Sequence, residues 1–208
     1  MNFKTLAVSL IFLLPAILLG QPKTYLCMQA SQEVKIDGIL DEWTKTPRTD
    51  DFIDISGREN LKPWLKTYAM MMWDSNYLYI AAEMEEPHLW ASITERDEVI
   101  FYDNDFEVFI DPDGDTHNYA EIEINALGTV WDLFLSRPYR DGTNPLTSYD
   151  IKGLKTAVEL HGSLNDPSDT DRGWILEMAI PWKHRNETLF YFTTCQKIRV
   201  ISKHLTAL

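Results

Sequence analysis

Apolar and polar positions alternate in short runs along most of this chain, and turn-forming residues separate the runs. In Phe106-Glu107-Val108-Phe109-Ile110, the residues Phe106, Val108 and Ile110 share one face, while Glu107, Phe109 and Asp111 share the other. Ile122 and Ile124 oppose Glu121, Glu123 and Asn125 in Tyr119–Asn125. Trp174, Leu176, Met178 and Ile180 oppose Glu177. A period of two is the mark of a strand with one face on a core. Strands are expected at Lys66–Trp73 and Tyr77–Met84, joined by Asp74-Ser75-Asn76, then at Phe106–Asp111, Tyr119–Asn125, Thr129–Leu135, Leu154–Leu160 and Trp174–Ile180. Turn residues mark the ends, among them Asp37-Gly38, Ser56-Gly57, Asp111-Pro112-Asp113-Gly114 and Asp141-Gly142. No long amphipathic helix is present; Glu85 to Asp97 has room for one helical turn. The spacing predicts an all-β fold, a two-sheet antiparallel β-sandwich of jelly-roll type.

Residues 1–20 stand apart. Lys4 is followed by an apolar run from Leu6 to Leu19, and Gly20 precedes Gln21. A charged start, a short apolar stretch and a small residue at the cut make an export signal. The run is too short for a membrane anchor. The chain therefore divides into a signal peptide at 1–20, a lead at 21–33, a sandwich at 34–183 and a tail at 184–208. The expected location is periplasmic or extracellular, with no stable membrane insertion after cleavage. Cys27 and Cys195 then meet oxidising conditions, where a pair and two free thiols are both open.

The 19 basic residues against 32 acids give a net charge of −13, which argues against nucleic acid and anionic lipid as partners. The five histidines form no zinc signature, and no phosphate loop or nucleophile elbow is present. Asp103, Asp105, Asp111, Asp113 and Asp115 crowd into 13 residues. Hard oxygens at that density suit Ca²⁺, although Asp-Pro-Asp-Gly is also a plain type I turn. Glu107, Glu121, Glu123 and Glu177 are candidates for paired-carboxylate glycoside hydrolysis, set against a solvated sheet face. Met70, Met71, Met72 and His88 would supply axial ligands if the sandwich bound haem; a methionine run in a strand is more simply core.

Aromatics make up 12% of the chain, and rings cover the apolar faces of sugars while acids and amides bind the rim hydroxyls. Trp73, Trp131 and Trp174 lie inside apolar runs and read as core. Trp64, Trp90, Phe101 and Tyr102 lie in loops or at strand starts and read as platforms, with Asn125 among the rim groups.

Five segments in order carry a resemblance. They are Ile36–Trp43, Trp73–Ile80, Asp105–Asp111, His117–Asp132 and Gly173–Trp182. Together they resemble the family 9 carbohydrate-binding modules of exported bacterial proteins. The resemblance implies a sandwich, glycan binding without catalysis in carbohydrate catabolism, and structural Ca²⁺. It places one ring of the sugar site at Phe101 or Tyr102 and a hydroxyl-binding acid at Glu107. Glu123 stands about where the family has a basic residue. An extended stretch at 101–102 would turn one ring inward and the other outward. The pattern breaks after Lys183, which leaves the family's second aromatic unassigned.

Overall fold

The computed structural model describes residues 24–54, 63–184, 187–188 and 197–203. The expected export signal, Ser56-Gly57 and Cys195 lie outside the described residues. The strands are β1 (Met28–Gln29), β2 (Thr67–Trp73), β3 (Tyr77–Glu85), β4 (Asp105–Asp111), β5 (Tyr119–Asn125), β6 (Val130–Leu135), β7 (Lys155–His161), β8 (Gly173–Pro181), β9 (Lys183–His184), β10 (Glu187–Thr188) and β11 (Lys197–Lys203). Five strands pair in the order β1-β2-β3-β8-β7 and four in the order β11-β4-β5-β6. Every pairing is antiparallel except the short β1 against β2. The protein is an all-β sandwich. Glu85 to Asp97 contains no helix; the described helical turns are 3₁₀ turns at Leu40–Trp43, Ile100–Tyr102 and Tyr139–Asp141.

The inner faces are those the alternation marks. Leu78, Ile80, Ala82 and Met84 of β3 and Trp174, Leu176, Met178 and Ile180 of β8 meet Phe106, Val108 and Ile110 of β4 and Ile122 and Ile124 of β5 in one cluster. Most of these side chains are completely buried. Removing large ones to alanine would cost about 2–5 kcal/mol each.

The outer face of the larger sheet is also covered. Residues 34–43 fold across it, and Trp43 packs with Met70, Met72, Tyr79, Ala81 and Ala179. Met71 joins the inner core instead. The methionine run is therefore packing on both faces of β2, which removes the geometric basis for haem ligation there. Glu177 fastens the covering segment. Its carboxylate accepts from the backbone N–H of Asp37 (3.1 Å) and Gly38 (2.7 Å) and from Trp43 Nε1 (2.6 Å). Gly38 sits at φ +87°, a left-handed turn that glycine adopts without strain and that allows both neighbouring amides to reach one oxygen. Glu177, completely buried, is thus a structural acceptor and not a hydrolytic acid.

Trp131 and Trp174 are buried as expected, but Trp73 is 39% exposed: it pairs with Leu78 of β3 on one side, and on the other the last residue of β2 has only the two-residue β1 at the sheet edge.

Candidate functional site

The outer face of the smaller sheet carries the acids. Register fixes which side chains lie side by side: Glu107 of β4 pairs with Glu123 of β5, which pairs with Trp131 of β6. One row along, Phe109 pairs with Glu121 and Glu121 with Leu133. This is not a solvated face. Glu121 and Glu123 are 3% and 2% exposed, and Glu107 is half-buried. The cover comes from residues 93–102: Ile100 is fully buried in a cluster with Tyr119, Trp131, Leu133 and Leu135.

Asp103 and Asn125 hold that cover in place. Asp103 accepts from Ser92 N (2.9 Å), Ser92 Oγ (3.0 Å), Ile93 N (2.9 Å) and Asn125 Nδ2 (2.9 Å). Asn125 also donates to the Ile93 carbonyl and accepts from Leu127 N and Thr129 N. Both groups are spent on the loop, so Asn125 is not a free rim ligand for a sugar.

With Ile100 turned inward, Phe101 and Tyr102 face outward together. Their ring centroids are 4.8 Å apart, and Phe101 lies 6.1 Å from the Trp131 ring. Phe101 is 36% exposed and Tyr102 72%. The expectation of opposite faces fails because the stretch is a 3₁₀ turn, not a strand. Trp90 is exposed on a separate stretch, where Leu89 N is bonded to Asp171 and Ala91 N to Asn165. Trp64 is 70% exposed.

Crowding alters the acids. Burial pushes Glu123 up to about 9, reinforced by Asp105, Glu121 and Glu107, while a hydrogen bond from the Phe101 backbone opposes it. Burial pushes Glu121 up to about 7, against a hydrogen bond from Tyr139 Oη (2.7 Å). Glu123 is therefore a neutral acid at pH 7.

A family model described as "Carbohydrate family 9 binding domain-like" matches residues 36–197. The chain belongs to that family. Its match runs past Lys183 to the first residue of β11. An exoglucanase, XynX of Acetivibrio thermocellus, is 28% identical over 149 residues, which are 71% of this chain and 11% of that protein. The chain thus spans about a tenth of the relative's length. Among solved structures, a family 9 carbohydrate-binding module of Caldicellulosiruptor kristjanssonii with cellotriose is similar at 19% identity and TM-score 0.49, over 74% of this chain and 66% of that one. The same organism's module with glucose gives 19% and 0.48, over 74% and 67%.

Within this family 9 domain the five aspartates do not form one group. Asp103 is committed to the loop, and Asp105 lies at the opposite end of β4 from Asp111, roughly 20 Å away for a seven-residue strand. Asp111, Asp113 and Asp115 do converge, with one carboxylate oxygen from each within 4.8 Å of the others. Asp111 also shapes the turn, accepting from Gly114 N and Thr116 N at 2.8 Å.

Sequence reasoning missed Trp131 and Tyr139 as site residues and β11 as a strand. Trp131 sits in an apolar run, but register places it beside Glu123. In β11, Lys197, Arg199, Ile201 and Lys203 fall opposite Asp111, Phe109, Glu107 and Asp105. Among the described residues no helix is long and apolar enough to cross a membrane.

Proposed function

We propose that this chain is an exported, non-catalytic carbohydrate-binding domain serving carbohydrate catabolism, and that it holds saccharide on the outer face of its smaller sheet. The observation that carries the reading is the exposed ring pair Phe101 and Tyr102, backed by Trp131, which shares one register row of the sheet with Glu123 and the half-buried Glu107. Adjacent rings offer an apolar surface to a pyranose face, and Glu107 accepts from its hydroxyls. Family membership supports the same reading. A platform with one side alone gives weak binding, with a Kd near ~1 mM.

Paired-carboxylate hydrolysis fits less well. Glu121 and Glu123 are raised acids of the kind a glycosidase needs, but Tyr139 and the Phe101 backbone cap them. The apolar run before Gln21 supports export. Asp111, Asp113 and Asp115 fit Ca²⁺ in donor type, since Asp113 and Asp115 each use only one oxygen within the turn. Calcium there would neutralise the turn and stiffen the end of β4.

The test is a glycan-affinity screen of residues 21–208 with cello-oligosaccharides, beside an assay for reducing ends. Retention without turnover supports the reading. Turnover abolished by Glu107→Gln would move the protein to the hydrolases.

A further inference from the structure

The loop that carries the ring pair is held at its base and again at its tip. At the base, Asp103 accepts from Ser92 and Ile93, and Thr129 Oγ1 donates to the Ile93 carbonyl (2.7 Å). At the tip, Asp97 N donates to the Val130 carbonyl (3.1 Å), and the Arg96 guanidinium donates to Asp132 and to Asp150 (3.1 Å). Asp132 pairs with Ile122, so it lies on the core-facing side of β6, whereas the loop covers the other side. Arg96 therefore reaches around the last strand of the smaller sheet, from its outer cover to an acid on its inner face.

Asp132 makes this a strong tie. Its side chain is completely buried, and it also accepts from Ile151 N. Among the described residues Arg96 is the one cation on it. Exposed ion pairs contribute little, but a buried carboxylate that loses its cation is left uncompensated. Asp150, shared with Lys152, and Ile151 belong to the segment 136–154, as does Tyr139. Arg96 thus joins the two segments that reach the buried acids: the Phe101 backbone donates to Glu123, and Tyr139 Oη donates to Glu121. The 3₁₀ turn at Ile100–Tyr102 has no side-chain cap at its start, so its setting rests on how the residues before it are fixed.

We propose that Arg96 is a positioning residue for saccharide binding, fixing the direction in which Phe101 and Tyr102 point before a ligand arrives. The proposal rests on the carbohydrate-binding reading above and adds to that site a residue acting through the two rings. Ile100, buried in a cluster with Trp131 and Leu133, and Asp103, tied to Ser92 and Ile93, flank the pair. Two such anchors fix a line through the turn but leave rotation about it. The tip at Arg96 and Asp97 is a third point, off that line, and it sets the rotation. Rings already set lose little freedom when a sugar docks, whereas unset rings must first be ordered, which weakens binding.

The experiment compares the unaltered chain of residues 21–208 with Arg96→Gln and with the double variant Arg96→Gln, Asp132→Asn, using cellotriose as the probe. The double variant leaves no buried charge unpaired at this place, and the new amide oxygen can still accept from Ile151 N. Its urea midpoint should therefore lie close to the parent's even where that of Arg96→Gln falls. Its cellotriose affinity, read by calorimetric titration, should nonetheless be about tenfold lower, the scale of ordering two side chains on binding. Amide exchange should quicken across 93–102 and stay unchanged in β8. A purely structural role would return affinity together with stability. A double variant that binds like the parent overturns the positioning role and leaves the carbohydrate reading standing. Exchange quickened by the same factor in β8 overturns it as general loosening. A parent chain that binds no cellotriose overturns both readings.

Discussion

Replacing Glu123 by glutamine should stabilise the fold, and by more at higher pH. Glu123 is 2% exposed, and burial, with Asp105, Glu121 and Glu107 beside it, pushes its carboxyl up to about 9. In the unfolded chain it returns to about 4.5. Between those values the folded chain keeps a proton that the unfolded chain has lost. Folding takes up that proton, so stability falls as pH rises through the window. Going from pH 4.5 to pH 7 costs about 3 kcal/mol at 1.36 kcal/mol per pH step. Glutamine has no proton to hold. The variant should therefore match the parent near pH 4.5 and exceed it by about 3 kcal/mol at pH 7. Glu121, raised to about 7, adds a slope of the same sign that both proteins share. Urea unfolding at pH 4.5, 6, 7 and 8 reads the difference directly. A gap that stays constant with pH would refute the reasoning, as would a variant less stable than its parent at pH 8.

Other outcomes follow from the same geometry. Glu177→Ala should cost about 3–5 kcal/mol in urea unfolding, because Asp37 N, Gly38 N and Trp43 Nε1 lose their acceptor together; a loss under 1 kcal/mol would show the segment is held by packing alone. Tyr102→Ala should leave stability within about 0.5 kcal/mol and abolish retention on a glycan column, since its ring is 72% exposed. Millimolar Ca²⁺ should raise the melting temperature and EDTA lower it, with Asp113→Asn and Asp115→Asn together removing the difference; identical curves would leave the segment a turn alone.

Alternation made the sandwich legible, because a period of two commits each strand to one core face. The acidic face was misjudged for a related reason. Period shows that Glu121 and Glu123 share a side, but not that Ile100 and the loop behind it close over that side. Phe101 and Tyr102 were found from composition and resemblance. Their joint orientation depends on a 3₁₀ turn that propensity does not announce. Glu177 looked like a candidate acid because its partners, Asp37, Gly38 and Trp43, lie more than 130 residues away in sequence. The strand β11 carried a visible signal, Ile198 and Val200 alternating with Lys197, Arg199 and Lys203. Its residues lie beyond Gly173–Trp182, the last segment on which the resemblance rests, so nothing in that resemblance points to a strand there.

The placing of β8 governs when this chain can fold. It pairs with β3 on one side and β7 on the other, and Glu177 within it secures the segment ending at Trp43. Neither the larger sheet nor its outer cover can close until residue 181 has left the ribosome. At about 5–20 residues per second the stretch from Trp43 to Pro181 takes roughly seven to thirty seconds to synthesise, with the larger sheet still incomplete. Long-range pairing of this kind raises contact order and slows folding. The nascent polypeptide therefore remains threadable for as long as the stretch from Trp43 to Pro181 is being made.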